Sequence, residues 1–192
     1  MTTKLEIINQ SLAYLGNPVV STLNIADPVI HAMSIIYDTE KANLLAWHPW
    51  RFATKWATLA LTAPQPDPIP NPRYQFAYDL PLDYIQAYDT YYWQDYQIVG
   101  RLILTSQNPP WMWGYIYNIP DDNYPQYFVA ALSHTVAAKS ATLLTENAEI
   151  AKYWQQQADI QSMRAQNRDA TAVPAVSIRD NPMLANHFFR GF

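Results

Sequence analysis

Four histidines, His31, His48, His134 and His187, carry the side chain best suited to proton transfer or metal binding near neutral pH, and the chain has no cysteine. No two of them stand four residues apart, the spacing that places two imidazoles on one helix face for zinc. We expect no metal there. His48 should pack at a helix-to-strand corner with a ring nitrogen bonded to backbone, and His134 should sit solvated near the polar edge of its helix. Two carboxylate pairs, Asp79 with Asp83 and Asp121 with Asp122, are close enough in sequence to divide acid and base roles. Both pairs flank proline or precede a helix, where aspartate caps free amides, so turn and cap duty is the preferred reading. No G-x-S-x-G elbow, Walker loop, G-x-G-x-x-G or EF-hand loop occurs, and only four glycines are present to build a phosphate cradle. The chain reads as no enzyme and as needing no cofactor.

Aromatic residues offer a different chemistry. Tyr91, Tyr92, Trp93, Trp111, Trp113, Tyr115 and Tyr117 could form a platform on which sugar rings stack, which keeps a glycan-binding accessory module as the alternative function. Strand alternation puts Trp111, Trp113, Tyr115 and Tyr117 on one face and Met112, Gly114 and Ile116 on the other. An aromatic sheet face packed on helices is the preferred reading.

Twelve Lys and Arg against 16 Asp and Glu give a formal charge of −4, and no basic cluster interrupts the chain. Affinity for phosphate backbones comes largely from counterion release at Lys and Arg, so a module that reads nucleic-acid sequence is not indicated. Charged residues make up 15% of the 192, below the quarter typical of soluble domains, while aromatics reach 14%. Much of the surface is therefore expected to be covered by other protein. The absence of cysteine excludes disulfides and fits a cytosolic setting. Nothing resembles a secretion signal, and no run of about 18 apolar residues suggests a membrane span.

The elements that must position these residues are well signalled. Thr3 and Glu6 have capping-box spacing, Leu5, Ile8, Leu12 and Leu15 recur at three or four residues, and Gly16 with Asn17 and Pro18 ends the helix. Asp27 and Pro28 open a second helix with Ile30, Met33, Ile36, Tyr37, Leu44 and Trp47 on one stripe, and His48 and Pro49 close it. From Trp50 the period becomes two. The stretch "AWHPWRFATKWATLAL", residues 46–61, is thus a corner: Trp47 ends the helical stripe, Pro49 forces the turn, and Trp50, Phe52 and Trp56 should anchor a strand on one face. Five prolines between Ala63 and Tyr74 predict a surface loop without regular hydrogen bonding. Strands follow around a turn at Leu80 and Pro81, in a hairpin near Val99, Gly100 and Arg101, and over residues 111–119. A helix begins near Asn123, with Phe128, Leu132, Val136 and Leu143 on a stripe. The last one, 148–168, places Ala151, Trp154, Ala158 and Ala165 on one face.

The expected architecture is α+β. Helices of 1–49 and 123–168 pack as one bundle around or beside a central antiparallel β region, 50–122, with its Pro-rich loop at 63–74. An extended docking tail occupies 169–192. The tail carries Phe188, Phe189 and Phe192, and three free phenylalanines suggest a receptive partner.

The landmarks resemble the tail tubular protein A, or head-to-tail adaptor, family of short-tailed bacteriophages. The motifs are "LAYLGNPVVSTL" at 12–23, the corner at 46–61, "YQFAYDLPLDYIQAYD" at 74–89, "VGRLILT" at 99–105 and "DDNYPQYFVAALSHTVAAKSA" at 121–141. The resemblance runs from residue 5 to about 168. It implies an assembly protein without catalytic residues, made in the host bacterial cytoplasm and placed in the tail connector of the virion. About twelve copies would form a ring between the portal protein and a tail nozzle of the tail tubular protein B kind, with no membrane involved. Viral DNA would pass through the channel without being read. Extended C-terminal segments in similar adaptors reach onto the portal, which assigns that contact here to Val176, Ile178, Met183 and Leu184 along with Phe188, Phe189 and Phe192. Pro66, Pro68 and Pro70 of the loop, and Gly100 and Arg101 of the hairpin, are candidate contacts to the nozzle or to a neighbouring copy.

Overall fold

The structure, a computed structural model, describes residues 2–88, 95–145 and 147–172. Its first helix, α1 (Lys4–Tyr14), starts on the predicted capping box: Thr3 Oγ1 accepts from Glu6 N at 3.2 Å, and Glu6 Oε2 accepts from Thr3 N at 2.9 Å. Gly16 follows with φ +73°, the left-handed geometry that glycine adopts freely. Replacing Thr3 by alanine should lower stability by about 1 kcal/mol, read as a fall in the urea midpoint at constant m.

Helix α2 (Pro28–Trp47) opens on Asp27, whose carboxylate accepts from Val29 N and Ile30 N. His48 leaves the helix in extended geometry, as Pro49 requires of its predecessor. The strand does not begin at Trp50, however. Residues Arg51–Ala53 form a 3₁₀ turn, and β1 runs over Thr54–Leu59. Five further strands follow: β2 (Phe76–Asp79), β3 (Tyr84–Ala87), β4 (Tyr96–Val99), β5 (Leu102–Thr105) and β6 (Trp111–Tyr117). Helices α3 (Gln126–Thr145) and α4 (Ala148–Ala170) complete the described chain.

All strand pairs are antiparallel, and they form two three-stranded sheets in the orders β1-β6-β3 and β2-β5-β4. The predicted hairpin turns at Gly100, φ +60°, with Val99 paired to Leu102. The fold class is α+β, as expected. The aromatic face is covered differently from the expectation: Trp111, Trp113 and Tyr115 pack beside Leu59 of their own sheet against Tyr78 and Ile103 of the facing sheet and Leu80 just beyond β2, not on helices. The opposite face, through Ile116, joins the helical core. Two sheets thus share an aromatic interior, and the helices lie on the outside of one of them. Alternation predicted which residues share a face; which layer covers each face depends on topology.

Helix α3 is the axis of the helical layer, packing on α1, α2 and α4. Ala131, Ser133, Ala137, Ala138, Ser140 and Ala141 are buried on it, and such small side chains let neighbouring backbones approach closely. The expected stripe holds for Phe128, Leu132 and Val136, but Leu143 is half exposed.

The proline-rich segment is more than a surface loop. Ile69 and Tyr74 pack against Ala77, Leu102 and Leu104 on the outer face of the β2-β5-β4 sheet. Gln65 Nε2 donates to Ala77 O at 2.8 Å, and its Oε1 accepts from Ala77 N at 2.9 Å, so one amide side chain does what a strand partner would. Regular backbone pairing is replaced there by side-chain bonding.

Candidate functional site

The corner was expected to weld helices to sheet through four rings, and two of them do. Trp50 is fully buried, its Nε1 donates to Leu44 O at 2.7 Å, and Phe128 meets it edge-on at 5.1 Å. Phe52 packs beside it at 5.8 Å and touches Tyr124 and Tyr127. Trp47 and Trp56 instead stand 59% and 45% exposed. The reason for Trp47 is the extended break at His48, which turns the chain inward one residue later. Trp56 points to the helix-facing side of its sheet, but beyond the edge of the helical layer. Its ring lies on Gly114, its cross-strand partner, where an added Cβ would come within 3.1 Å.

A residue the sequence reading left in the tail proves to hold the corner. Asp169, in the last turn of α4, is 1% exposed; its Oδ2 accepts from Arg51 N at 3.0 Å and its Oδ1 from Tyr127 Oη at 2.9 Å. His48 Nε2 stands 3.6 Å from the same carboxylate, and its ring rests edge-on against Trp50 at 4.8 Å. His48 therefore faces a buried carboxylate rather than a backbone group. Asp169 continues the buried series Ala158, Ser162, Ala165, and this spacing was the available signal. It was obscured because helix C-termini favour cations over carboxylates.

His134 is not solvated as expected. Its ring sits 4.5 Å from Tyr14 and 5.9 Å from Trp154, with Nδ1 2.7 Å from Ala130 O, because Trp154 of α4 and Tyr14 of α1 close over this side of α3. His31 is exposed, and His187 lies outside the described residues. Among the described residues no group of three or more His, Asp or Glu side chains is placed to hold a metal.

The carboxylates have separate partners. Asp79 accepts from Thr62 Oγ1 at 2.8 Å. Asp83 joins Lys55 Nζ at 2.7 Å and Tyr115 Oη at 2.9 Å. Burial pushes its pKa up, but the bonds from Lys55 and Tyr115 outweigh that and hold it below the usual carboxylate range. Asp121, expected to cap, pairs with Lys41 at 2.7 Å instead, while Asp122 is exposed. The Tyr37 hydroxyl faces Asp121 without closing a well-formed hydrogen bond, and Tyr124 lies alongside. For Asp121 too, burial works against ionisation and loses, chiefly to the hydrogen bond from Lys41, with the nearby tyrosine hydroxyls adding to it. Both tyrosines are pushed up, mainly by burial and then by the neighbouring carboxylate.

These shifts fix two limbs of stability. A depressed carboxyl pKa stabilises the fold above pH about 4 and loses that contribution as pH falls through the folded value. A raised phenol pKa contributes fully below pH about 10 and is lost above it, where the unfolded hydroxyl ionises first. Tyr124→Phe should therefore flatten the alkaline limb, and Asp121→Asn the acid limb, in urea midpoints measured from pH 2.5 to 11.

The candidate contact loops are placed as follows. Pro68 and Pro70 are exposed and Pro66 half-buried. Gly100 is exposed at the hairpin tip, and Arg101 Nη2 donates to Leu80 O at 2.7 Å and Pro81 O at 3.1 Å, which locks that tip to the turn before β3. The tail residues Val176, Ile178, Met183, Leu184, Phe188, Phe189 and Phe192, and the platform candidates Tyr91, Tyr92 and Trp93, lie outside the described residues.

Among the apolar side chains left exposed by the described chain, two groups lie on its regular elements α4 and the β1-β6-β3 sheet. On α4, Ile150, Tyr153, Ile160 and Met163 stand 36% to 54% exposed, on the side away from its buried stripe. On the helix-facing side of the β1-β6-β3 sheet, Trp56 and Met112 are exposed at its far end, Met112 at 60%. No model of a known family matches the chain, and no curated protein compared with it gives a significant match.

Proposed function

We propose that this chain is a structural head-to-tail adaptor of a short-tailed bacteriophage. In this reading about twelve copies form a ring between the portal protein and the tail nozzle and continue the DNA channel. The observation that carries it, beyond the resemblance of the five motifs, is the pair of uncovered faces on α4 and on the β1-β6-β3 sheet. A closed ring needs a heterologous interface, two different patches on one subunit, and a surface low in charge suits both. In this reading residues 176–192 supply the portal contact, and the loop at 64–72 with the Gly100 hairpin contacts the nozzle or a neighbouring copy. The acidic net charge suits a channel through which a polyanion slides.

The glycan alternative loses its main platform, since Trp111 and Trp113 are 4% and 0% exposed between the sheets. One double variant and the unaltered chain separate the readings. Met112→Ser with Trp56→Ser should leave the fold intact and prevent ring formation on the portal, observed by sedimentation of the mixture. Retained ring formation by this variant, or saturable sugar binding by the unaltered chain, would count against the adaptor assignment.

A further inference from the structure

Helix α4 has two faces. One, with Ala158, Ser162, Ala165 and Asp169, is buried against its own subunit, chiefly α3 and the 3₁₀ turn. The other follows a heptad: Tyr153, Ile160 and Asn167 at a positions, Gln156 and Met163 at d positions, all of them exposed. That spacing is the seam of a two-stranded coiled coil, and a single polar a residue such as Asn167 fixes register and strand number.

The charges beside the seam select the partner and its direction. Asp159 stands on one flank, at g, and Arg164 on the other, at e; both are exposed, and neither has an ion-pair partner among the described residues. In two parallel copies of the helix each g residue lies beside the next e residue of the other, so Asp159 meets Arg164 of the second copy, twice by symmetry. Run antiparallel, with Tyr153 against Met163 and Ile160 against Gln156, the g flanks face each other and Asp159 comes against Asp159. Charge complementarity therefore favours a parallel second copy.

The same flank offers a receptor for the arginine. A groove of about 220 Å³ between α2, α3 and α4 includes Asp159, with Glu40, Trp47 and Lys139 in its lining. Two carboxylates outnumber the one ammonium, and Trp47 stands 59% exposed beside them. A guanidinium paired with Asp159 can also lie against an indole ring, a contact that arginine makes readily. It would cover the Trp47 ring that its own subunit leaves open.

We propose that two copies of the chain pair through this second face of α4, as parallel helices about a two-fold axis, with Arg164 of each copy docked between Asp159 and Trp47 of the other. The interface is isologous and closes at two copies. Under the adaptor reading this face is also needed in the ring, so the dimer keeps it covered until the copies part and assemble. Only that consequence rests on the adaptor reading; the pairing is a property of the chain by itself.

Sedimentation equilibrium of the full-length chain without portal tests the pairing, so its outcome is separate from that of ring assembly. The unaltered chain should pass from one copy to two as concentration rises. Asp159→Arg and Arg164→Asp each bring like charges together twice and should weaken the dimer by about tenfold or more, with circular dichroism unchanged. The two exchanges combined should restore most of the loss. Direction has its own readout, because the chain lacks cysteine and Asn167→Cys gives a single thiol. In a parallel pair that thiol faces its equivalent, so oxidation should give a disulfide-linked dimer in higher yield than Ala42→Cys, an exposed control on α2. A chain monomeric throughout, a dimer indifferent to both single exchanges, a combined exchange that restores nothing, or no cross-link beyond the control overturns the proposal.

Discussion

Trp50→Ala is expected to lower the free energy of unfolding by about 3–5 kcal/mol, the loss seen when a large buried ring is removed from a core. The estimate rests on position as much as on size. Trp50 is fully buried where α2, the 3₁₀ turn and α3 meet, and its ring contacts His48, Phe52, Tyr127 and Phe128. Its indole N–H also donates to Leu44 O, a carbonyl of the last turn of α2. Removing the ring therefore opens a cavity and deletes a buried hydrogen bond together. Urea unfolding followed by circular dichroism measures this, and a loss under 1 kcal/mol would contradict the account of the corner.

Asp169→Ala should cost about 2–4 kcal/mol, although the residue contributes no apolar area. The buried carboxylate accepts from the Arg51 amide and the Tyr127 hydroxyl, and without it both donors lose their partner. A charge at 1% exposure also sits at the unfavourable end of the helix macrodipole, so those bonds are what make it tolerable. Asp169→Asn keeps an acceptor but turns an amide NH₂ toward one donor, and its loss should fall between zero and that of alanine. Equal stability of wild type and Asp169→Ala, by the same urea measurement, would show that the α4 terminus is held by packing alone.

These two residues mark how far the sequence could be read. The ends of α1 and α2 were legible because their signals are local: the capping box at Thr3 and Glu6, the Asp27-Pro28 pair, and Pro49 acting on His48. Trp50 was legible as a core residue, but not as the cap of a 3₁₀ turn, because three residues of tighter helix leave no periodicity to detect. Alternation in "WMWGYIY" revealed the shared face of Trp111, Trp113 and Tyr115. It could not reveal that the facing sheet covers this face, because the sheet orders β1-β6-β3 and β2-β5-β4 arise from long-range pairing. Trp47 and Trp56 were misjudged for a related reason: an apolar side chain on the correct stripe is buried only as far as the opposing layer extends. The contact loops were legible as loops, yet the bonding of Gln65 and Arg101 to backbone of distant strands had no local signature.

Asp121, Asp83, Asp79 and Asp169 have structural partners in Lys41, Lys55, Thr62 and the Arg51 amide, and the proposed function rests on the uncovered rings and aliphatic side chains instead. The central claim is that these surfaces meet other copies and a portal. Native mass spectrometry of the full chain, alone and mixed with the portal ring encoded beside it, tests that claim most directly. The account predicts a complex carrying about twelve copies per portal ring. A chain that stays monomeric in the mixture, with the portal ring at its own mass, would contradict it.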